Sequence, residues 1–570
     1  MKAGDTSRPE YIIGLTLQGH DTAACLTKDG AVVAFIEEER LNRQKHTRVI
    51  PFDAIDAVLR TAGISMSDVS YVGVSAGFGV RSFWNRCSSY IVRFPVRRWP
   101  MMLLGWFRGT RDYLRQVNQV RARYGLLWSK IVFVPHHEAH LASAFLVSPF
   151  ERAAILSIDG SGEGFSSKMA LGEGNRFVEF GSVRNPESIG IFYLMLTQYL
   201  GFSSYGDEGK VMGLAAYGTP RYAEQFAKIL QLIPGGTYRM NMRYFSVTAR
   251  GKFCLSKKFY EEFGPARAEG EPITERHEDL AASLQKVTEE TIIHLVNYVY
   301  DQTHEENLCL AGGVIMNSVT NGMLHRRTPF KEIFIQPLAY DAGNALGCCY
   351  YIYHQLLHRP RTFVQRNIFW GTQYTDEEIE AVLKKWKLRY QKVEDSAEAA
   401  SALISQGKVV GWFQGRMEAG ARALGHRSIL ADPRRADMKD IVNKNVKNRE
   451  PFRPFAPAIL EEKIGEYFED TILVPYMERV FTIKLEKRSV IPAVTHVDGT
   501  GRLQTVSRKT DPLYYAVIEA FEKKTGVPIV LNTSFNVKGE PLVCRPEEAL
   551  RDFFCTGMDA LFIGSYLLQK

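Results

Sequence analysis

Cysteine is sparse in this sequence and has no regular spacing. The 570 residues include eight cysteines, and no two of them form a Cys-x-x-Cys pair. A disulfide framework or a thiolate zinc site needs paired or regularly spaced cysteines. Both classes are therefore excluded, and a reducing compartment is expected.

Long apolar runs are also missing. No uninterrupted apolar stretch approaches the ~20 residues that a helix needs to cross a bilayer. The first residues, MKAGDTSRPEY, lack the charged segment followed by an apolar segment that is typical of a signal peptide. We therefore expect a soluble, cytoplasmic protein without stable membrane insertion.

Positive charge exceeds negative charge, but the excess is local. The net charge is +8, and residues 93–123 contain eight arginines with Asp112 as their only acidic residue. Because the excess is confined to one stretch, a polycationic nucleic-acid groove is not expected. Aromatic and aliphatic residues are interleaved with these arginines. This pattern predicts one of three structures: a lid over a bulky acceptor substrate, an ordinary insertion with amphipathic packing, or a helix on a membrane surface. A lid or an insertion is favoured.

The patterns along the chain predict an α/β protein with an internal duplication. Residues 11–15 predict a strand, and the hairpin that follows turns at Lys28-Asp29-Gly30. A second apolar strand at 153–158 is followed by a turn at 160–164 and by another hairpin. Two copies of strand, glycine turn and hairpin predict a duplicated nucleotide-binding fold. The length of 570 residues predicts two to four domains.

Histidines and aspartates predict a metal site in the first half of the chain. His136 and His140 are four residues apart, so on a helix both imidazoles leave the same face. Asp159 ends the second strand, and Gly160-Ser161-Gly162 after it offers backbone N–H groups that could face phosphate. Asp341, in a turn that opens a later helix, supplies a carboxylate for a fourth metal position. The alternative is a chance histidine pair in the core or on the surface.

Three further polar segments could contribute to such a site. Residues 206–218 are rich in glycine and place two carboxylates beside a lysine, but they lack the Walker A pattern, and the alternative is a plain turn before a helix. The two glycines of 312–317 would let the backbone approach a nucleotide closely. The charged run 37–46 is typical of solvated surface, but it follows a buried-looking strand, and the alternative places Lys45 in the cleft.

Proline and charge interrupt the pattern near His358, and a new α/β pattern begins after it. We expect a first domain at 10–357, a linker at 358–366 and a second domain at 367–570. Asp395-Ser396-Ala397-Glu398 is a capping-box start for a helix of the second domain.

The second domain has two arginine-rich segments. GRMEAGARALGHRSILADPRR begins at Gly415 and includes Arg416, Arg422 and Arg427, and NKNVKNREPFRPFAP begins at Asn443. Arginines beside glycine turns suit phosphate, because guanidinium matches its oxygens two at a time. The alternative is a solvated basic surface. Apolar neighbours argue against it, since they predict partial burial and buried cations need anionic partners.

Taken together, the motifs resemble those of one family. They are, in order, GHDTAACLTKDG, EEERLNRQKH, HHEAH, DGSGEG, DEGKVMGLAAYG, AGGVIMN, DAGNALG, GRMEAGARALGHRSILADPR, REPFRPFAP, HVDGTGR and LNTSFN. The chain resembles, over nearly its whole length, the O-carbamoyltransferases of the nodulation and antibiotic-tailoring type. The resemblance implies an α/β fold with a duplicated actin- and hexokinase-like (Kae1-like) N-terminal domain and a YrdC-like C-terminal domain.

The resemblance implies a two-stage, ATP-dependent reaction. In the C-terminal domain, carbamoyl phosphate is cleaved to carbamate, which attacks ATP, bound with Mg²⁺, to give carbamoyl adenylate and pyrophosphate. In the N-terminal domain, a metal holds the phosphate of the adenylate while a hydroxyl of a natural-product or sugar acceptor takes the carbamoyl group. Fe²⁺ is the implied metal, and another divalent ion is left open.

The resemblance also implies roles for particular residues. His20 is implied as the base that activates the hydroxyl, and Lys45 as the cation that steadies the carbamoyl oxygen. The implied metal ligands are His136, His140, Asp159 and Asp341. The implied ligands of ATP and carbamoyl phosphate are Arg422, Lys447, Arg453, Arg502 and Ser534, with Asn532 as an addition. The nucleotide contacts expected in the N-terminal domain are Ser161, Gly162, Asp207, Glu208, Lys210, Gly312, Gly313 and Asn317.

Two other functions stay open at this point. A related enzyme that makes threonylcarbamoyladenosine in tRNA would use similar domains, and an ATP-gated interaction protein would use the duplicated fold alone. The local basic stretch and the second arginine-rich domain favour the carbamoyltransferase. The expected partner is a small-molecule hydroxyl acceptor without nucleic acid, and a homodimer is left open.

Overall fold

The computed structural model describes residues 9–17, 19–77, 85, 99–202, 205–247 and 253–570. The chain divides into two compact units. The first unit comprises Met1–Glu38, His46–Thr320 and Leu324–Gln365. The second unit comprises Glu39–Lys45, Asn321–Met323 and Arg366–Lys570. Each unit combines helices and strands, as the sequence predicts.

The strands before residue 366 are β1 (Tyr11–Thr16), β2 (Ala23–Lys28), β3 (Ala31–Glu37), β4 (Val69–Ser75), β5 (Ile131–Val134), β6 (Arg152–Gly162), β7 (Phe165–Glu173), β8 (Arg176–Arg184), β9 (Leu230–Ile233), β10 (Thr237–Met240), β11 (Phe245–Val247), β12 (Phe253–Leu255), β13 (Asn307–Ala311) and β14 (Glu332–Ile335). The helices of the same part are α1 (Glu38–Asn42), α2 (Phe52–Ala62), α3 (Trp99–Tyr124), α4 (His136–Phe145), α5 (Ile189–Tyr199), α6 (Glu208–Leu214), α7 (Ala223–Ile229), α8 (Lys257–Phe263), α9 (Glu275–Thr303), α10 (Ser318–Arg327) and α11 (Asn344–Tyr350).

Two five-stranded sheets of the first unit have the same topology. The strand order is β3-β2-β1-β4-β5 in one sheet and β8-β7-β6-β13-β14 in the other. In each sheet, three consecutive strands form an antiparallel meander, and two parallel strands continue the sheet beyond the first of them. The matching order and polarity confirm the predicted internal duplication.

The turn predicted at 160–164 begins later than expected. β6 continues through Gly162, so Gly160-Ser161-Gly162 belongs to the strand. The bend is made by Glu163 and Gly164, whose φ angles are 54° and 93°. The sequence pattern predicts that Gly160, Gly162 and Gly164 all form the turn. Glycine is instead required at position 162 by a close contact with the side chain of His136, described below.

Glycine permits two close contacts that fix the helix after Asp341. A Cβ atom on Gly14 would lie 1.8 Å from the backbone oxygen of Ala345. A Cβ atom on Gly347 would lie 1.9 Å from the backbone oxygen of Ala139. Backbones approach this closely only where a side chain is missing. Helix α11 therefore packs directly on β1 and α4, which holds the turn of Asp341 beside the helix of the two histidines.

The charged run that starts at residue 37 is not solvated surface in its first part. Residues 37–40 are all buried. Arg40 pairs with Glu39 at 3.0 Å and donates a hydrogen bond of 2.8 Å to the backbone oxygen of Gly420. These partners make burial tolerable, and no pattern in the run itself reveals them. Lys45, at the end of the run, is exposed.

The basic, aromatic-rich stretch forms part of α3, and its residues 93–98 lie outside the described residues. Three side chains on one face of the helix are buried, namely Tyr113, Val117 and Val120. Three arginines on the other face are exposed, namely Arg108, Arg111 and Arg115. This alternation is the packing of an amphipathic helix on a core. Across the described part of the chain, no helix combines the length and the apolarity that a membrane span needs.

The second unit is built on an eight-stranded mixed sheet. The strands of the second unit are β15 (Gln391–Lys392), β16 (Val410–Phe413), β17 (Arg427–Ala431), β18 (Ala456–Leu460), β19 (Val480–Thr482), β20 (Thr500–Arg502), β21 (Gln504–Val506), β22 (Ile529–Ser534), β23 (Ala560–Ile563) and β24 (Tyr566–Gln569). The sheet order is β15-β24-β23-β16-β17-β22-β18-β21, and β19 pairs with β20 apart from it. The helices are α12 (Asp376–Lys385), α13 (Ser396–Ser405), α14 (Met438–Ile441), α15 (Ile464–Tyr467), α16 (Pro512–Thr525) and α17 (Pro546–Phe554).

The core of the second unit lies on this sheet. Trp412, Ile429 and Leu531 project from its central strands and are fully buried, and Tyr514 of α16 is fully buried with them. The predicted helix start at Asp395 is confirmed, because the Asp395 carboxylate accepts a hydrogen bond of 2.9 Å from the backbone N–H of Glu398.

Candidate functional site

Two imidazoles and two carboxylates meet in the first unit. His136 and His140 lie in the first two turns of α4, Asp159 lies in β6, and Asp341 lies in the turn before α11. One ligand atom from each of the four residues lies within 4.8 Å of all the others. The two Nε2 atoms of the histidines are 3.2 Å apart, and Asp159 Oδ2 is 2.9 Å from Nε2 of His136. The structure therefore brings together all four residues that the sequence predicts as metal ligands.

The imidazoles and carboxylates of this cluster shift one another's pKa values. Burial opposes a positive charge on His136, but the carboxylates of Asp341 and Asp159 outweigh it and raise the pKa of His136 to about 9. Burial also opposes a negative charge on Asp159, but its hydrogen bond to His136 holds the pKa of that carboxyl well below its usual range. A site that favours a cation among nitrogen and carboxylate donors suits a divalent metal ion.

Neighbouring residues that the sequence did not single out orient the cluster. The side-chain nitrogen of Asn344 lies 3.4 Å from Nδ1 of His136 and 3.3 Å from Nε2 of His140. The carboxylate of Glu163 accepts a hydrogen bond of 3.1 Å from the backbone N–H of His136. His137 points elsewhere, because its ring bonds to the hydroxyl of Ser157 at 2.9 Å. His137 is therefore not part of the four-residue cluster, although it follows His136 directly in the sequence.

Gly162 limits the room around His136. A Cβ atom at position 162 would lie 2.4 Å from Cδ2 of the His136 ring. We expect Gly162→Ala to displace this ring and to weaken metal binding at least ~10-fold, as losses of orienting contacts around metal ligands do. Titration of the protein with a divalent metal in competition with a chelator would measure the change.

Gly160→Ala is the matched control for this experiment. Nothing lies within 4 Å of a Cβ atom at position 160, although the residue belongs to the same strand. We expect this variant to bind metal like the unmodified protein. Equal binding by both variants would contradict the role of close packing in holding His136.

A second constellation lies beside the first. His20 Nδ1 is 3.0 Å from one carboxylate oxygen of Asp21, and His46 Nδ1 is 2.6 Å from the other. The rings of His20 and Tyr205 are stacked, with centroids 3.5 Å apart. His20 Nδ1 also lies 3.8 Å from Asp341 Oδ2, so the predicted base is next to the metal cluster. Burial opposes the charge of Asp21, but hydrogen bonds to both histidines hold its pKa far below the usual range.

Two predicted nucleotide contacts of the first unit lie in its glycine turn after β13. Gly312 has φ +95°, and a Cβ atom there would lie 2.2 Å from the backbone oxygen of Ile158. The backbone N–H of Gly313 donates a hydrogen bond of 3.0 Å to Asp159 Oδ1. Asn317 caps α10 through its side-chain oxygen. The turn therefore contacts Asp159 of the four-residue cluster, and glycine at position 312 is required by close packing against the backbone of Ile158.

Three other predicted nucleotide contacts of this unit, Ser161, Asp207 and Lys210, have protein partners. Lys210 lies 2.9 Å from Asp207 at the start of α6, where the sequence left open a turn before a helix. Burial raises the pKa of Glu208. The hydroxyl of Ser161 accepts a hydrogen bond of 2.6 Å from the side chain of Asn185.

Lys447 of the second unit is surrounded by oxygen atoms. Its ammonium nitrogen lies 2.6 Å from the backbone oxygen and 3.1 Å from the hydroxyl of Ser534. The side-chain oxygen of Asn536 is 2.6 Å from the same nitrogen. Burial and the charges of Arg449 and Arg453 hold the pKa of Lys447 well below its usual range. Two residues predicted to bind phosphate, Lys447 and Ser534, are therefore in contact.

Several arginines cluster near Lys447. Burial and the charges of Arg422, Arg449 and Arg453 hold the pKa of Arg502 well below its usual range. Burial and the charge of Arg453 likewise lower the pKa of Arg449 to about 9. Arg453 also lies 3.7 Å from Glu450. Guanidinium groups that lower one another's pKa form a site that a polyanion would stabilise.

One buried carboxylate shapes the loop that carries Arg422. Glu418 accepts hydrogen bonds of 2.7 and 3.2 Å from the backbone N–H groups of Leu424 and Arg427. The guanidinium of Arg427 is fully buried, 3.7 Å from the ring centroid of Phe413, and donates to backbone oxygens. Burial lowers the pKa of Arg427, and the negative charge of Glu418 opposes this effect.

Asn532 and Lys45 complete the set of predicted residues. Asn532 is buried, and its side-chain nitrogen donates to the backbone oxygen of Ala423 at 3.1 Å and to the side chain of Gln504 at 2.8 Å. Asn532 therefore stabilises the loop that carries Arg422 through a hydrogen bond to its backbone. Lys45 belongs to the second unit, where its charge adds to burial and to two arginines in lowering the pKa of Lys447. His20, its predicted catalytic partner, belongs to the first unit.

The fold and this geometry define a class: a duplicated α/β protein with a candidate metal site in one unit and a cation cluster in the other. A family model described as Carbamoyltransferase N-terminus matches residues 11–350, and one described as Carbamoyltransferase C-terminus matches residues 401–570. The chain belongs to the carbamoyltransferase family. It is accordingly a transferase enzyme, as the resemblance of its motifs implies.

Relatives of this chain extend over most of its length. Uncharacterized protein sll1178 of Synechocystis is 40% identical, covering 98% of this chain and 97% of its own. Nodulation protein NolNO of Sinorhizobium fredii is 40% identical, covering 97% of this chain and 79% of its own. Among solved structures, the Acidaminococcus fermentans (R)-2-hydroxyglutaryl-CoA dehydratase component A covers 60% of this chain and 97% of its own, with 14% identity and a TM-score of 0.33.

Proposed function

We propose that the chain is an ATP-dependent O-carbamoyltransferase that acts on a hydroxyl group of a small natural-product or sugar acceptor. The observation that carries the proposal is that a chain of this family combines a cluster of four metal-ligand side chains with a separate cluster of mutually repelling cations. The first cluster suits group transfer beside a phosphate. The second suits the binding of polyphosphate and carbamoyl phosphate.

In the second unit, water attacks the carbonyl carbon of carbamoyl phosphate, the bond from that carbon to the phosphate oxygen breaks, and carbamate and phosphate form. The carbamate oxygen attacks the α-phosphorus of ATP, the bond to the β-phosphate breaks, and pyrophosphate leaves with the electron pair. Arg422, Arg453 and Arg502 would neutralise the phosphates during this step. Lys447, held against Ser534, would place a further donor beside them.

In the first unit, the acceptor hydroxyl attacks the carbonyl carbon of carbamoyl adenylate, and AMP leaves. His20 takes the hydroxyl proton, since a sugar hydroxyl is a weak nucleophile until a base removes it. The turn of Gly312 and Gly313 would lie beside the adenylate.

His136, His140, Asp159 and Asp341 would hold a divalent ion, with Fe²⁺ as the proposed occupant. The donor set fits this assignment, because two imidazoles and two carboxylates converge within 4.8 Å. When bound, the ion would act as a Lewis acid toward oxygen atoms of the donor.

Incubation with ATP, carbamoyl phosphate and panels of hydroxyl acceptors tests the proposal. We expect an acceptor to gain the mass of one carbamoyl group, with release of pyrophosphate, only when both phosphate substrates are present. Release of pyrophosphate followed by modification of tRNA alone would favour the tRNA-modifying alternative instead.

Replacing His20 separates the two stages. We expect His20→Ala to form carbamoyl adenylate at the normal rate, because its change lies in the first unit, and to lose transfer to the acceptor by about 10²–10⁴-fold. Pyrophosphate release and acceptor mass would be followed in the same reactions. An equal loss of both would argue against a division of labour between the units.

A further inference from the structure

A single buried carboxylate in the first unit joins two imidazoles. Asp21 Oδ2 lies 3.0 Å from Nδ1 of His20, and Asp21 Oδ1 lies 2.6 Å from Nδ1 of His46. The Asp21 residue is only 3% exposed. Its two oxygen atoms are therefore each engaged by a different ring, and the carboxylate group is fixed from both sides.

The backbone around Asp21 has an unusual conformation that places the carboxylate between the two rings. Asp21 has φ 60°, in the left-handed region that few residues other than glycine adopt, and Gly19, two residues before it, has φ 94°. Aspartate is among the few side chains that tolerate this region. The unusual backbone aims the carboxylate between His20 and His46, which lie 26 residues apart in the sequence.

The hydrogen bond to Asp21 selects one tautomer of His20. A carboxylate accepts a hydrogen bond, so Nδ1 of His20 carries the hydrogen, and the lone pair of the neutral ring is on Nε2. The ring plane is held by stacking on Tyr205, whose centroid is 3.5 Å away. Tyr205 also contacts the His46 ring edge-on, at 5.1 Å. A base whose ring and tautomer are both fixed presents Nε2 in one direction only.

We propose that Asp21 is a positioning residue that holds His20 as an Nε2 base, and that His46 anchors Asp21 by binding its other oxygen. This inference rests on the proposed role of His20. The acceptor hydroxyl gives its proton to Nε2 of His20 while its oxygen bonds to the carbamoyl carbon. The bond from that carbon to the AMP oxygen breaks, AMP leaves with the electron pair, and the imidazolium that results stays bonded to Asp21 through Nδ1.

Replacement of Asp21 with asparagine tests the tautomer. An amide presents one oxygen and one N–H₂ group, so a ring that faces the N–H₂ group must carry its hydrogen on Nε2. We expect Asp21→Asn to lower kcat for transfer by about 10²-fold or more, within the range of general base catalysis. The KM for the acceptor, the bound metal and the rate of pyrophosphate release should stay unchanged. Long-range ¹⁵N–¹H spectra of ¹⁵N-histidine-labelled protein would show whether His20 changes tautomer.

A pair of variants at His46 tests the anchor without changing Asp21. His46→Asn keeps an N–H donor for the Asp21 oxygen, and His46→Leu removes it. We expect His46→Asn to retain transfer within a few fold and His46→Leu to lose about 10-fold or more, since loss of an orienting partner is typically this large. Both should keep normal pyrophosphate release.

The outcomes separate this inference from the function on which it rests. If His20→Ala loses transfer but Asp21→Asn and His46→Leu keep it, the inference is overturned and the role of His20 stands. If His20→Ala also keeps transfer, both are overturned. If Asp21→Asn loses transfer only in proportion to lost metal, Asp21 supports the metal cluster and the inference is likewise overturned.

Discussion

His140→Leu should lose its bound metal ion and should transfer carbamoyl groups about 10³-fold more slowly, while it still releases pyrophosphate. His140 is fully buried, and its Nε2 atom lies 3.7 Å from Asp341 Oδ1 and 3.2 Å from Nε2 of His136. Loss of partners that merely orient metal ligands costs about 10–100-fold in affinity, so loss of a ligand should cost more. The measurements are metal content by mass spectrometry and the rates of the two stages.

His137→Leu is the matched control, because this adjacent histidine is equally buried and lies on the same helix. Its ring bonds to Ser157 and to the backbone oxygen of Phe165, not to the cluster. We expect a loss of about 1–3 kcal/mol in the free energy of unfolding, because buried partners are left unsatisfied. Metal content should be kept. Retention of metal by His140→Leu would contradict the assignment of the ligands.

Arg502→Met should lose the first stage and keep the fold. The Arg502 guanidinium is held among Arg422, Arg449 and Arg453, where its own charge is opposed by burial and by the other arginines. Its removal should lower ATP–pyrophosphate exchange by about 10²–10³-fold, as loss of a preorganised donor to a phosphate does. The free energy of unfolding should stay the same or rise by about 1 kcal/mol, since a partly buried, repelled charge is gone.

The two measurements together distinguish a binding role from a structural one. A structural arginine loses stability when it is replaced, whereas a ligand-binding arginine loses activity and gains stability. Arg508→Met is the control, because Arg508 is exposed and pairs with Glu519 at the surface. It should change neither quantity. Normal exchange by Arg502→Met would remove the cation cluster from the proposed first stage.

Local rules explain how much of the site could be predicted. The i,i+4 spacing of His136 and His140 fixes both rings on one helix face, and the apolar run 153–158 predicts the strand that carries Asp159. Such short-range patterns survive folding because they depend on one element each. The duplicated sheet could be predicted for the same reason, since its meander is encoded by consecutive strands.

Contacts between distant segments could not be predicted from the sequence. The link from Asp21 to His46 depends on a left-handed backbone angle and on tertiary packing, and neither residue has a distinctive spacing. Arg427 looks like a phosphate ligand in sequence, but its guanidinium donates to backbone oxygens and lies against the Phe413 ring. Charge alone does not show whether a buried cation will find protein or ligand partners.

The four metal-ligand side chains are divided between the two copies of the duplicated sheet. His136 and His140 follow β5, the last strand of the first copy, whereas Asp159 and Asp341 belong to β6 and the segment after β14 in the second. Each copy alone therefore supplies only two of the four side chains. Any molecule that stabilises the arrangement in which the four side chains converge would therefore also raise the affinity for the ion.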